Sequence, residues 1–370
     1  MKKKIFFIVT SLGAGGSEKV FWTLAQGFNK VVYEVVFIIL DSRNNCFSME
    51  IPGVRFIDMQ SYKASRSIVK LYKLIRSERP FAIFSTTNHI NLLVSIVAHF
   101  VRVPFLVARA SNIPHQMKMY AGNIDRMYGL LTSRSYKKFD VIVCQSDEMK
   151  MSLLKEFRIE PEKLVTIPNP VNFTDSIAIP GLVPDKKRLI IVARLAKEKG
   201  LFRLLKVIQL LPANYELTIV GDGSLNEELL REVSSLNLMS RVSFIKQSDT
   251  ITDLISRYDL FVLSSFTEGF PNAVLDALSV GLPVVSFEVG GINRIIIDDF
   301  NGYIIAQGDL QEFANKVLLA CSRCWDHEKI KKDVFEKCAL DKVAAQYESL
   351  LCSGTRNLAE QTCVEFMDQL

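Results

Sequence analysis

The most specific stretch of this sequence carries two carboxylates between a predicted strand and a predicted helix. Residues 264–278 read SSFTEGFPNAVLDAL, with Glu268 in a polar loop and Asp276 eight residues further on. Pro271 stands at the predicted first turn of the helix, where proline is favoured, and the backbone N–H groups that open a helix can face an anion. Core packing rarely produces such a phrase, so it predicts a binding site.

A basic loop follows another predicted strand. Residues 194–200 read RLAKEKG and place Arg194 and Lys199 five residues apart, ahead of a glycine. Arginine offers a bidentate fork and lysine a point charge, so two such cations at the carboxyl end of a parallel strand suit the neutralisation of a diphosphate. A solvated basic turn is the alternative interpretation.

A glycine-rich loop lies between the first predicted strand and an apolar helix. Residues 11–18 read SLGAGGSE, and glycines at such a turn allow an anionic ligand to approach the backbone. A dinucleotide fingerprint requires G-x-G-x-x-G, in which Gly13 and Gly15 match but Glu18 occupies the third glycine position. Asp41 stands where a ribose-binding acid is expected. NAD binding and a turn without a ligand therefore remain alternatives.

Short apolar, β-branched runs separated by stretches of helical period must position these loops. Strands are predicted at residues 4–9, 33–40, 82–85, 105–108, 141–144, 164–167, 189–193, 216–220, 242–245, 260–264 and 283–287. Continuous apolar strands alternating with helices predict parallel sheets that are covered on both faces. Prolines and a glycine interrupt the pattern in residues 177–187. The sequence thus predicts two doubly wound α/β domains, with a ligand cleft between the carboxyl ends of their sheets.

Length and composition agree with this organisation. The chain has 370 residues, whereas single cores rarely grow past ~250–300 residues. A hydrophobic fraction of 49% with 10% aromatics excludes a disordered chain. Seven scattered cysteines favour a reducing compartment over a disulfide framework. The apolar run after the N-terminal lysines is interpreted as a buried strand rather than a secretory leader, and residues 90–107 as a helix followed by a strand rather than a membrane span.

The net charge of +5 is distributed unevenly. Residues 1–180 contain 24 Lys and Arg against 14 Asp and Glu, a net charge of +10, and the remainder carries −5. Cations interleaved with apolar and aromatic side chains in residues 101–140, and a second basic stretch at 69–76, predict a surface that rests on anionic lipid. Helices packed on the first domain, with lysine stems along their surface, are the alternative.

Taken together, the motifs resemble those of family 4 glycosyltransferases of the GT-B architecture. Members typically carry a G-G-A-E-R-like first loop, an R-L-x-x-x-K-G loop, and an E-G-F-P-x-x-x-x-E phrase followed by G-x-P-V. The corresponding residues here are 15–19, 194–200, 268–276 and 281–284, and IPNPV, VGDG and YESLL also agree, at 167–171, 220–223 and 347–351. The resemblance implies two Rossmann-like domains that face each other across a cleft. The acceptor-binding domain would span residues 1–178, the nucleotide-sugar-binding domain 179–345, and a helical tail, 346–370, would pack back on the first domain.

The resemblance also implies retaining transfer of a sugar from a nucleotide-diphosphate donor. Glu268 would contact hydroxyls of the donor sugar, Arg194 and Lys199 would stabilise the departing diphosphate, and Asp276 would hold the ribose hydroxyls. The remaining substrate-binding candidates are Gly15, Gly16, Arg109, Gly269, Phe270, Pro271 and Asn272. No D-x-D sequence occurs, so neither a metal nor another cofactor is expected.

Four positions depart from the family pattern. Asp276 replaces the usual second Glu and is one methylene shorter, which predicts a looser or water-mediated ribose contact. Lys19 replaces Arg in the first loop. Lys246 stands near the expected nucleotide base, where many relatives have Gly, and leaves the base open. Arg109 lies where many members have His and is the candidate substrate contact, with His115 as the alternative.

The expected function is transfer of a hexose or N-acetylhexosamine from a UDP-sugar to a lipid-diphosphate-linked saccharide, in O-antigen or capsule-like polysaccharide assembly. Such an enzyme would be cytoplasmic and peripheral on the cytosolic face of the inner membrane, with no nucleic-acid partner. The alternatives are a soluble GT-B transferase acting on a small molecule, an NAD-dependent oxidoreductase and a non-catalytic sugar-nucleotide-binding protein. No motif encodes the donor sugar, the acceptor glycan, the linkage position or the oligomeric state.

Overall fold

Parallel strands form the sheet of the first of two structural units. The structure, a computed structural model, describes residues 2–13, 15–43, 45–61, 64–111, 131–183, 185–248 and 250–352. The strands of this unit are β1 (Lys3–Val9), β2 (Tyr33–Ile39), β3 (Val54–Asp58), β4 (Ala82–Thr86), β5 (Phe105–Arg109), β6 (Val141–Cys144) and β7 (Leu164–Thr166). Their order across the sheet is β3-β2-β1-β4-β5-β6-β7. The carboxyl ends of β1 and β4 therefore form the topological switch point, where ligands of such sheets bind.

A second parallel sheet repeats this plan. Its strands are β8 (Lys187–Val192), β9 (Tyr215–Val220), β10 (Val242–Ile245), β11 (Leu260–Leu263), β12 (Val284–Phe287) and β13 (Gly302–Ile305). They follow the order β10-β9-β8-β11-β12-β13. The switch point of this sheet lies between β8 and β11, so the loops that follow these two strands meet at one edge.

Helices cover both faces of each sheet. The described helices are α1 (Gly16–Gly27), α2 (Ala64–Glu78), α3 (Asn88–Val97), α4 (Asp147–Phe157), α5 (Leu201–Leu210), α6 (Asn226–Ser235), α7 (Ile251–Ile255), α8 (Asn272–Ser279), α9 (Leu310–Ser322), α10 (His327–Cys338) and α11 (Leu340–Cys352). In the first unit α1 and α11 pack on one face, and α2, α3 and α4 on the other. Two buried faces explain why the central strands read as continuous apolar runs.

The two units divide the chain at residues that differ from the expected boundaries. The first unit comprises residues up to Pro170 together with the chain from Leu340, and the second comprises Val171–Ala339. Residues 171–178 join the second unit because Val171 N donates to Cys338 O at 2.7 Å and Ala178 N to Val280 O at 2.6 Å. All of α11 joins the first unit. Residues 353–370 of the expected tail lie outside the described residues.

The structure contains two strands that the sequence pattern does not predict, β3 and β13. Both lie at an edge of their sheet. β3 reads VRFID and is only partly buried, and β13 reads GYII and begins with a glycine. β3 therefore lacks the continuous burial that produces a recognisable apolar run, and the glycine of β13 leaves an apolar run of only three residues. The eleven predicted strands are present, with ends that differ by at most two residues.

The apolar residues 90–107 do not form one long helix. They contain most of α3 and the start of β5, as the sequence predicts. Across the described residues, no helix has both the length and the apolar character needed to cross a membrane.

Candidate active site

The switch point of the second sheet joins the basic loop to the loop that carries Glu268. The basic loop follows β8 and the loop that carries Glu268 follows β11, and these two strands are neighbours in the sheet. The Nζ atom of Lys199 lies 2.7 Å from Oε1 of Glu268. Two residues that the sequence places 69 positions apart thus form an ion pair at the edge where parallel sheets bind ligands.

Burial distinguishes this pair from a surface ion pair. The side chains of Lys199 and Glu268 are 16% and 14% exposed. Arg194, by contrast, is 66% exposed and pairs with Glu198 at 2.9 Å. Charges that are largely withdrawn from water interact strongly with other charges. Lys199 and Glu268 thus form the inner part of the candidate site, and Arg194 lies on its solvent-facing side.

Hydrogen bonds fix the two loops against each other. Ser264 Oγ donates to Lys199 O at 2.9 Å, and Phe266 N donates to Glu198 O at 2.8 Å. Ser265 Oγ donates to Glu268 Oε1 at 2.6 Å. The carboxylate is therefore oriented from two sides, by an ammonium and by a hydroxyl. Ser265 is a further residue of the candidate site, which the motif comparison did not single out although it lies within the same phrase.

Gly200 is required by this close approach. Its φ is +62°, in the left-handed region, and a Cβ built at this position would lie 2.1 Å from Ser264 O. Any larger residue would push the β11 loop away from the basic loop. The glycine of the R-L-x-x-x-K-G motif thus has a packing role.

The segment after Glu268 leads directly into the first turn of α8. Gly269, Phe270 and Pro271 are buried, and Pro271 is the N-cap of α8, one residue before the first turn in which the sequence predicts it. The first turn carries the positive end of the helix dipole. Asn272 and Asp276 are four residues apart on α8, so their side chains lie on the same side of the helix. The expected contacts of these residues with a donor stay predictions.

The loop after β9 supports the basic loop from the other side. Leu195 N donates to Asp222 O at 2.9 Å, and a Cβ on Gly221 would lie 2.0 Å from Ala193 O. Lys246 pairs with Asp222 at 3.1 Å and lowers the pKa of this carboxyl chiefly through their hydrogen bond. Lys246, one of the four departures from the family pattern, thus lies directly after β10 and beside the VGDG loop.

In the first unit, the glycine-rich loop leads directly into α1. Gly15 is the N-cap and Gly16 the first residue of the helix. A Cβ on Gly15 would lie 2.1 Å from Glu18 Oε2, so the Glu18 side chain folds back over the helix start. A carboxylate at this position interacts favourably with the helix dipole.

Arg109 is buried at the end of β5, with 3% of its surface exposed. Its Nη2 donates to Asn169 Oδ1 at 2.6 Å, and its Nη1 lies 3.4 Å from the hydroxyls of Ser17 and Thr86. Burial lowers the pKa of Arg109, and burial raises that of its neighbour Tyr347 to about 12. Arg109 therefore links the glycine-rich loop to the end of β4 and to the segment after β7. Its expected substrate contact stays a prediction.

A histidine that the sequence interpretation overlooked stands at the switch point of the first sheet. His89 is exposed and follows β4, and its Nε2 lies 2.5 Å from Thr10 Oγ1, which follows β1. Thr87, which precedes α3, has a φ of +68°, a backbone conformation that is rare for a β-branched residue. The position of His89 directly after a predicted strand was the available signal. His115, the alternative to Arg109, lies outside the described residues.

Acidic, histidine and cysteine side chains are the usual protein ligands of a metal ion. In the part of the chain that the structure describes, no three of them are grouped so as to hold a metal ion. The expectation that catalysis requires neither a metal nor another cofactor stays a prediction.

Two family models match the chain. The model described as Glycosyltransferase Family 4 matches residues 14–175, and the model described as Glycosyl transferases group 1 matches residues 172–333. Together the two matches span most of the chain and coincide closely with the two structural units.

Similar proteins include sugar transferases with lipid-linked substrates. The Escherichia coli UDP-Gal:alpha-D-GlcNAc-diphosphoundecaprenol alpha-1,3-galactosyltransferase is 26% identical over 69% of this chain and 70% of its own. A Campylobacter jejuni relative, the N-acetylgalactosamine-N,N'-diacetylbacillosaminyl-diphospho-undecaprenol 4-alpha-N-acetylgalactosaminyltransferase, is 24% identical over 94% of this chain and 98% of its own. Among solved structures, Anabaena HepE in complex with UDP and glucose superposes with a TM-score of 0.80 at 19% identity, over 95% of this chain and all of that one.

These matches agree with the fold and with the motifs at the switch points, and they leave the NAD-dependent interpretation of the glycine-rich loop without support. The chain belongs to glycosyltransferase family 4, has the GT-B fold, and is a glycosyltransferase related to enzymes that transfer sugars to lipid-diphosphate-linked saccharides in polysaccharide assembly.

Proposed function

We propose that this chain is a retaining glycosyltransferase that moves a hexose or N-acetylhexosamine from a UDP-sugar to a lipid-diphosphate-linked saccharide during surface polysaccharide assembly. The observation that carries the proposal is the Lys199–Glu268 pair at the switch point of the second sheet, beside the start of α8. The UDP-Gal and diphosphoundecaprenol in the name of the E. coli relative support the choice of donor and acceptor class.

The residues of this site suit the charges that develop during sugar transfer. Breaking the bond between the anomeric carbon and the diphosphate oxygen leaves positive character on the sugar and negative charge on the diphosphate. Lys199 and Arg194 are the cations for the diphosphate, aided by the dipole of α8. Glu268 accepts hydrogen bonds from hydroxyls of the donor sugar, and Asp276 accepts those of the ribose.

Retention requires the acceptor oxygen to form its bond on the face from which the diphosphate leaves. In the proposed step, the acceptor oxygen–anomeric carbon bond forms as the anomeric carbon–diphosphate bond breaks. The proton of the acceptor hydroxyl passes to an oxygen of the departing diphosphate, which keeps the electron pair of the broken bond. The step forms no covalent bond between the sugar and the enzyme, so Glu268 acts by hydrogen bonding rather than as a nucleophile.

A cationic side of α2 supports the proposed contact with anionic lipid. Arg66, Lys70, Lys73 and Arg76 are exposed at helical spacing, and Val69 among them is 54% exposed. Basic and apolar side chains on one helix face suit a surface of anionic headgroups. On this proposal the enzyme works at the cytosolic face of the inner membrane. Much of the other predicted basic stretch, residues 112–130, lies outside the described residues.

The function is tested by incubating the protein with a panel of radiolabelled nucleotide sugars. One set of reactions contains a lipid-diphosphate-linked saccharide, and a matched set contains the same saccharide without lipid or diphosphate. We expect transfer from a UDP-sugar to the lipid-linked acceptor, with the anomeric configuration of the donor retained in the product. Transfer only to soluble acceptors would contradict the lipid-linked proposal, and an inverted product would contradict retention.

The membrane contact is tested separately by co-sedimentation with vesicles. We expect binding to vesicles that contain anionic phospholipid, weakening as salt is raised because screening shortens the range of the attraction. The charge reversal Lys73→Glu should reduce binding more than Lys332→Glu, an equally simple change at an exposed lysine of α10. Equal binding to neutral vesicles would contradict the proposal.

A further inference from the structure

Arg203 is a buried arginine in the first turn of α5, with 8% of its surface exposed. Its Nε donates to Ser264 O at 2.7 Å, and its Nη2 donates to Ser265 O at 2.6 Å. A planar fork that reaches two successive carbonyl oxygens is a geometry that a guanidinium provides and an ammonium does not. The side chain therefore binds the backbone directly after β11.

Two aromatic rings enclose the same guanidinium. The ring centroids of Phe266 and Phe287 each lie 3.9 Å from Cζ of Arg203. Aromatic faces attract a cation and shield it from water. The rings thus hold the plane of the guanidinium, and with it the direction of its hydrogen bonds.

Gln307 extends this arrangement along the carboxyl edge of the sheet. Arg203 Nη1 donates to Gln307 Oε1 at 2.7 Å. The amide nitrogen of Gln307 donates to Glu288 O at 2.6 Å and to Ser265 O at 3.2 Å. Arg203 and Gln307 therefore connect α5 to the segments that follow β11, β12 and β13.

The segment that Arg203 holds is the one that orients the ion pair of the site. Ser265 donates its hydroxyl hydrogen bond to Glu268, and Ser264 donates its own to the carbonyl of Lys199. A shift of this backbone would move both contacts together. Displacements of about 1 Å at a reacting centre can cost about 10²-fold in rate.

We propose that Arg203 is a positioning residue for sugar transfer, which acts through the carbonyls of Ser264 and Ser265 to aim Glu268 at the donor. The proposal rests on the proposed function. It predicts that a change at Arg203 acts through Glu268, so the two residues should not contribute independently to the rate.

The variant Arg203→Lys keeps the charge and removes the planar fork. Its matched control is Arg241→Lys in the same unit, because Arg241 also donates to backbone carbonyls, of Tyr215 and Leu211, but does so at the amino end of β9. Both variants are assayed with the donor and acceptor on which the wild type is active, at a temperature where circular dichroism shows each to be folded. We expect kcat to fall about 10–100-fold for Arg203→Lys and less than about twofold for Arg241→Lys, whose contacts lie away from the site.

The same change in a Glu268→Gln background separates positioning from a general effect on stability. If Arg203 acts through Glu268, Arg203→Lys should lower the residual rate of Glu268→Gln less than about threefold, because residues that act as a unit are strongly non-additive. Equal losses for the two lysine variants, or the full loss retained in the Glu268→Gln background, would overturn the proposal.

A milder variant is available if Arg203→Lys fails to fold. Gln307→Met removes one partner of the guanidinium and the amide's own bonds to Ser265 O and Glu288 O. The guanidinium keeps its bonds to the two serine carbonyls, so kcat should fall by a smaller factor, about 3–10-fold. An unchanged kcat in this variant would overturn the proposal. A wild type that transfers no sugar from any donor would instead contradict the proposed function, which keeps the two failures distinct.

Discussion

The ion pair between Lys199 and Glu268 should contribute more to stability than its exposed neighbour in the same loop. Its atoms are 2.7 Å apart and its side chains are 16% and 14% exposed, whereas Arg194 and Glu198 are 2.9 Å apart and 66% and 32% exposed. Exposed pairs contribute about 0.2–1 kcal/mol, and breaking a fully buried pair costs about 3–5 kcal/mol. The Lys199–Glu268 pair is only partly buried, so we expect a coupling energy between these limits, about 2 kcal/mol, and about 0.3 kcal/mol for the exposed pair.

The two coupling energies can be measured by double-mutant cycles in urea. The first cycle uses Lys199→Met and Glu268→Gln, singly and together, and the second uses Arg194→Met and Glu198→Gln. Trp325 packs on the core of the second unit, and the only other tryptophan, Trp22, belongs to the first. With Trp22→Phe in every variant, Trp325 fluorescence follows the unfolding of the second unit.

Equal coupling energies in the two cycles would refute the reasoning, because the pairs differ mainly in burial and hardly in distance. A value near zero for both would show that the inner pair is as solvated as a surface pair. The comparison needs neither donor nor acceptor, so its outcome is independent of substrate identity.

Three further changes give expectations that can be measured by denaturation. Gly200→Ala should destabilise the second unit by about 3 kcal/mol, because left-handed strain is joined by a backbone clash, whereas Gly181→Ala, with a similar φ and open space around it, should cost about 1 kcal/mol. Arg109→Met should destabilise the first unit by about 2–3 kcal/mol, because it leaves buried hydrogen-bond acceptors without a donor. Unfolding of this unit is followed by Trp22 fluorescence, and a loss below about 0.5 kcal/mol, the usual effect of a surface change, would contradict the expectation. Hydrogen bonding to Arg55 lowers the pKa of Glu78 from 4.5 to about 2, so its stabilisation is present above pH 4.5 and is lost as pH falls towards 2. Between pH 4.5 and 2, the free energy of unfolding of Glu78→Gln should fall by about 2 kcal/mol less than that of the wild type. The same pH profile in both proteins would show that folding does not perturb this carboxylate.

The central parts of both sheets could be predicted from sequence because their burial leaves a strong pattern. Strands such as β6 and β11 are apolar throughout, as is typical of strands covered on both faces. β3 and β13 could not be predicted in this way. β3 is only partly buried and contains Arg55 and Asp58, and β13 begins with a glycine, so neither has an apolar run of the length that predicts a strand.

The candidate site was predicted as a set of residue types, and the structure adds how some of these residues are arranged. The phrase around Glu268 and the basic loop around Lys199 indicated two halves of one site. Their direct ion pair follows from the adjacency of β8 and β11, which is a property of topology. The burial of Arg109 was missed for the same reason, since its partners come from distant parts of the chain. Arg203 carries no motif, and its role emerges only from contacts across the sheet edge.

Comparison of initial rates of sugar transfer tests the central claim most directly. Glu268→Gln and Lys199→Ala are compared with the wild type, and Glu336→Gln and Lys332→Ala, from an exposed Lys–Glu pair on α10 of the same unit, are the controls. We predict that each site variant lowers kcat/KM for the donor by about 10²–10³-fold, while both controls stay within about twofold of the wild type. Full activity in either site variant would contradict the account.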